Sequence, residues 1–355
     1  MNNFFQDYGS LLFESPEERL AKKIRLKKLF SRVFLALFIY TVVWQCLSGV
    51  IYIVASLMMS AEAFEAFQNN YTISILISSG VQCLIAFPLF LLALIGVEKA
   101  RPVEKTKLSF KDMFLYLMVG EALMFVGNLI GTMLNRFVGL FSGQTPENSI
   151  ESMINGIPIY VIFIFVVVVA PIIEELIFRK LMIDRLAVFG DRMAILFTAV
   201  AFGLMHGNLY QFFYATMLGV LLGFVYAKTR DVKYTIILHM IINFLGSIVV
   251  LPVQDASIEY ARLTELAANG EAYDLIALVT NGFITLLYTN IQYGMLIGGV
   301  IVMWNFIKKR KFKLDREKDV HLTDIAVAAS GVRTVGVILF ICVSLILMLL
   351  SLTAQ

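Results

Sequence analysis

Nine apolar runs recur along the chain, at roughly 30–59, 73–97, 113–134, 157–178, 193–206, 210–227, 234–252, 283–307 and 334–352. Most approach the ~20 residues needed to cross a bilayer. Inside hydrocarbon a backbone must bond to itself, and apolar runs of this length specify helices. The expected fold is therefore an all-α polytopic membrane protein, a bundle of about eight to nine transmembrane helices around an intramembrane polar cavity. Composition agrees: 59% of the 355 residues are hydrophobic and 15% charged, which excludes a soluble globule. The three cysteines, Cys46, Cys83 and Cys342, fall inside apolar runs, so no disulfide framework is expected. A polar, basic lead-in precedes the first run, and no cleavable signal peptide is expected. That lead-in reads as a solvated basic segment that sets orientation, with an amphipathic interfacial helix through Leu20 and Ile24 as the alternative.

Charge assigns the sides. With the N-terminus inside and nine alternating spans, every one of the 29 Lys and Arg falls inside except Arg136 and Arg262, as the positive-inside rule demands. The C-terminus then lies outside. Segment 253–280, with Asp255, Glu259, Glu265, Glu271 and Asp274, becomes the longest outer loop. Basic clusters that flank spans in this way are explained by orientation, and no nucleic-acid partner is expected. The fifth run is short and followed by His206-Gly207-Asn208, so runs five and six are expected to form a close hairpin.

Polar residues inside the spans are where chemistry is expected, because ionisable groups there are costly. Pro171 to Arg179 reads P-I-I-E-E-L-I-F-R at the end of the fourth run. Glu175 and Arg179 are i,i+4 neighbours in the favoured order and are expected to pair. Glu174 lies about 100° round the helix, over Phe178, with no local cation. Two of the three histidines, His206 and His239, also fall within spans. Phe202 shares a face with His206, and Asn243 with His239. If Arg179 marks the cytosolic boundary, Glu174 lies ~8 Å inward and His239 ~9 Å inward of Lys233. The helices are thus able to converge Glu174, His206, His239 and Asn243 on one wet cavity.

Other polar positions read as structural. Glu121, midway along the third run with Asn128 two turns on, is expected to be bonded to another span, with a supporting role at the site as the alternative. Gln45 and Gln82 read as interhelical hydrogen-bonding groups, and Gly219-x-x-x-Gly223 as a close-packing face within the bundle.

Glu174-Glu175-x-x-x-Arg179, Phe202-x-x-x-His206 and His239-x-x-x-Asn243 resemble, in order, the three motifs of the CAAX-protease and bacteriocin-processing (Abi) family. That family includes the type II CAAX prenyl endopeptidases. The resemblance covers about 155 to 250. It divides the chain into a cytosolic basic segment (1–29), N-terminal transmembrane helices (30–154), a catalytic core (155–252), and an outer loop with C-terminal transmembrane helices (253–355). It implies an intramembrane endopeptidase in which Glu174 activates water with help from His206. His239 and Asn243 would stabilise the oxyanion, and Glu175, Arg179 and Phe202 would support the site. The implied partners are the lipid bilayer and a membrane-associated peptide or lipidated protein cleaved near the cytosolic surface, in a bacterial plasma membrane. A metal-free mechanism is the expectation, with no cofactor. Zinc held by His206, His239 and Glu174, with water in the fourth position, is the alternative chemistry. A non-catalytic scaffold or bacteriocin-immunity protein is the alternative function. A transporter is disfavoured by the lack of an internal repeat.

Overall fold

The computed structural model describes residues 15–100, 103–142, 156–309, 314 and 331–353. Ten helices organise them: α1 (Pro16–Met58), α2 (Ala61–Gln68), α3 (Tyr71–Ala93), α4 (Phe110–Ser142) and α5 (Ile159–Phe189). Then follow α6 (Asp191–Met205), α7 (Leu209–Thr229), α8 (Val232–Ala268), α9 (Leu275–Lys308) and α10 (Val335–Thr353). No strand occurs among the described residues. Eight of these helices are long and apolar enough to cross a membrane, and the protein is an integral, multi-pass membrane protein. The ninth apolar run becomes a span only if α6 is counted. With 15 residues, α6 is about 22 Å long, short of the ~30 Å hydrocarbon core.

Local chemistry fixes the ends. Ser15 and Glu18 form a reciprocal capping box at the start of α1, the standard way to satisfy two orphan N–H groups. The basic lead-in is therefore helical from Pro16 and continuous with the first span; residues 1–14 lie outside the described residues. Asn208 caps α7 and Asp231 caps α8 through side-chain oxygens. Gly190, at φ 93°, turns the chain sharply from α5 into α6.

Segments assigned to one side by charge counting meet at one end of the bundle. Arg25 of α1 pairs with Glu98. The Ala100 N–H donates to the Asp184 carbonyl at 2.7 Å, and the Thr106 N–H to that of Thr229 at 3.0 Å. Arg230 pairs with buried Asp191 at 2.5 Å. Phe306, near the end of α9, packs edge-on against Tyr116, whose hydroxyl accepts from Lys228. The basic residues from 310 onward, apart from Arg333, lie outside the described residues. α10 starts beside Ser31 of α1 and reaches Leu347 against Gly207, so it runs away from this end.

Three expectations are corrected. Segment 253–280 is helical to Ala268 and again from Leu275, so the turn proper is Asn269–Asp274. Its Ala, Leu, Glu and Arg content favours helix: of the acids that suggested a loop, Asp255, Glu259 and Glu265 sit on the extension of α8, and Glu271 and Asp274 in the turn. The fourth helix does not end at Arg179: α5 runs on to Phe189 and Arg179 is fully buried. Gln45 makes no interhelical hydrogen bond among the described residues. Trp44 to Ser78 (2.9 Å) and Tyr52 with Ser74 (2.7 Å) join α1 to α3 instead.

Other expectations stand. Gln82 donates to the Tyr40 hydroxyl at 2.7 Å across α3 and α1. The α6–α7 hairpin forms, and its closeness depends on the small residues: a Cβ on Gly219 would lie 2.9 Å from Ala199 Cα. The three cysteines are free.

Candidate active site

α5 is wound in the wider π register over Ile162–Val169 and again over Leu176–Ile183, a geometry common at functional sites. The first stretch leads into Pro171. The Ala170 N–H bonds back to the Phe165 carbonyl, and Pro171, next in line for the Val166 carbonyl, has no N–H to give. A buried carbonyl needs a partner. Asn243 of α8 supplies it, donating from Nδ2 at 2.9 Å. A proline in one helix thus anchors an amide on another.

The two acids follow Pro171 within a short α-helical segment, and both are buried. Glu175 meets Arg179 as the spacing predicts, Oε2 to Nε at 2.9 Å and Oε1 accepting from Nη2 at 3.1 Å. It has a second partner that the spacing did not show: His239 Nδ1 lies 3.0 Å from the same Oε1. A carboxylate only accepts, so Nδ1 carries the proton. His239 Nε2 then faces Glu174, 3.7 Å from Oε2. That is too long for a direct hydrogen bond, and one water can bridge it.

Phe202 of α6 is the packing centre. Its ring lies 5.1 Å from Phe178, 4.9 Å from the His206 ring and 5.8 Å from the His239 ring, all edge-on. The Arg179 guanidinium sits 5.0 Å from its centroid, within cation–π range. The Phe202 carbonyl also fixes His206, accepting from Nδ1 at 2.7 Å. The neutral ring accordingly presents Nε2 as an acceptor.

Glu174, His206, His239 and Asn243 all line one cavity of about 920 Å³. The sequence-predicted set is therefore brought together from α5, α6 and α8, His206 included. Phe202 also reaches the wall, whereas Glu175 and Arg179 lie behind it. Glu121 stands on another wall of the same cavity, and its Oε1 is buried with no hydrogen-bond partner. The expected bond from Glu121 to another span is absent among the described residues.

The zinc alternative has suitable donor chemistry, since both imidazoles hold an Nδ1–H toward oxygen and leave Nε2 available. Among the described residues, however, no three His, Cys, Asp or Glu side chains converge closely enough to hold a metal ion. The described residues as placed do not form a metal cage.

A helical membrane bundle that gathers a carboxylate, two imidazoles and an amide on one internal cavity has the equipment of a membrane-embedded hydrolase. The comparisons agree: residues 156–245, about a quarter of the chain, match the family described as type II CAAX prenyl endopeptidase Rce1-like. The chain is similar to UPF0177 protein YvdC of Lactococcus lactis subsp. lactis (strain IL1403), 24% identical over 208 residues, covering 57% of this chain and 76% of that protein. It is also similar to the Bacillus subtilis (strain 168) protein named "Putative membrane peptidase YdiL", 32% identical over 104 residues, 28% of this chain and 42% of that protein. No solved structure matches the chain. At family level these likenesses support a membrane protease.

Proposed function

We propose that the protein is an intramembrane endopeptidase that hydrolyses a peptide bond by glutamate-activated water, near the cytosolic membrane surface of a bacterial plasma membrane, with its N-terminus cytosolic. The observation that carries this reading is the arrival of Glu174, His206, His239 and Asn243, from three helices, on one cavity.

Glu174 takes a proton from water as the oxygen attacks the scissile carbonyl, and His206 Nε2 accepts a hydrogen bond from the same water. Such a base is typically worth ~10²–10⁴ in rate. Asn243 spends one amide hydrogen on the Val166 carbonyl, which leaves the other for the oxyanion. With Nδ1 committed to Glu175, His239 donates from Nε2 only as the imidazolium, and the oxyanion role requires that form. The proton held by Glu174 passes to the leaving amine. Apolar walls including Phe165, Ile242 and Leu218 suit an amphipathic or lipidated substrate segment. The test is purified protein in detergent with a peptide library, wild type beside Glu174→Gln. Cleavage by wild type alone supports the reading; equal cleavage by both, or by neither, overturns it and returns the scaffold or immunity reading.

A further inference from the structure

The cavity is lopsided in charge. Glu174 and Glu121 both line it, and no Lys or Arg is among its lining residues. Glu174 has His239 within 3.7 Å. Glu121 has nothing comparable, and its Oε1 is buried without a hydrogen-bond partner. Along the axis it is about 16 Å from the start of α4 at Phe110, well inside the bundle. An unpaired acid at that depth is costly and calls for a partner.

The surroundings say which partner. Glu121, Phe125 and Asn128 form one face of α4 at helical spacing, and Tyr288, Gln292 and Met295 form the opposing face of α9. Gln292 donates to the Tyr288 hydroxyl at 2.7 Å, which fixes that ring beside the acid. An acid flanked by Phe125 and Tyr288 rings suits a cation whose aliphatic stem lies on apolar surface.

We propose that Glu121 forms a second acidic subsite, which receives an organic cation of the bound peptide. This rests on the proteolytic reading for its substrate class. The cation is either a basic side chain or the free amino terminus, and both present the same chemistry to a buried carboxylate.

The experiment uses full-length protein in detergent and a peptide of the library that Glu174→Gln protein binds. Arginine is replaced by isosteric citrulline at each position in turn, and in a separate arm the amino terminus is acetylated. Affinity is measured by fluorescence anisotropy on Glu174→Gln protein, and kcat/KM on wild type. Loss of one cation should lower both at least about tenfold, the scale of a desolvated charge pair. Citrulline sensitivity assigns a side chain; acetylation sensitivity assigns the amino terminus. Glu121→Gln should abolish that preference, while Glu121→Asp retains part of it. No charge preference in wild type overturns the subsite without needing any variant, as does a preference that survives Glu121→Gln. Charge-selective binding without cleavage would fail the proteolytic reading alone, and cleavage without charge preference would fail the subsite alone.

Discussion

His239 donates from Nδ1 to Glu175, 3.0 Å away on a helix 64 residues earlier in the chain. The same carboxylate neutralises Arg179. Glu175 thus holds a buried cation and sets the tautomer of an imidazole whose other nitrogen faces the cavity.

The adjacent acids should separate in experiment. Glu174→Gln should lower turnover ~10²–10⁴-fold with the detergent melting temperature unchanged. Glu175→Gln should lower both, since a buried Arg179 left unpaired costs about 3–5 kcal/mol and His239 keeps only a neutral amide oxygen in place of a carboxylate acceptor. Glu175→Gln/Arg179→Gln should recover melting temperature but not turnover. Equal inactivation by both single changes without any change in melting would make the two carboxylates one catalytic unit.

Pro171→Ala would restore an N–H in register with the Val166 carbonyl, in competition with Asn243. The expected result is an unchanged or raised melting temperature with turnover at least ~10-fold lower, the low side of losing an oxyanion donor. Turnover equal to wild type would detach Asn243 from the chemistry.

Chelation distinguishes the two chemistries. Under the glutamate mechanism, proteolysis should survive a chelator and purified protein should carry substoichiometric zinc by elemental measurement. Loss of activity restored by zinc alone would recast His206 and His239 as ligands.

Sidedness is read by reporter fusions. A fusion after Gly270 and one after Thr353 should report outside, and one after Lys309 inside, since α9 ends and α10 begins at the basic end of the bundle. A cytosolic report after Thr353 would remove one crossing, α6 or α10.

What the sequence showed was what is local or periodic. The Glu175–Arg179 pair follows from i,i+4 spacing, and Gly219 against Ala199 from a small-residue stripe. The bond from Glu175 to His239 did not, because it depends on how α8 crosses α5. The Val166 carbonyl was invisible for another reason: it is a backbone atom, freed by the π register and Pro171 together. Glu121 was misread because a buried acid was assumed to have found a protein partner. Residues 253–268 were misread because acids that mark a loop in a topology count are also good helix formers.

The brevity of α6 has a consequence for the lipid around it. A helix about 22 Å long turns back at Gly207, leaving a shortfall of roughly 8 Å against an average hydrocarbon slab. Leu347 of α10 packs against that turn, so protein covers it beside the cavity and the shortfall falls on whatever lipid reaches the rest of α6. A leaflet thinned to match the short helix would shorten the path of water to Glu174, and the thickness of the host membrane would then help set how readily the site is wetted.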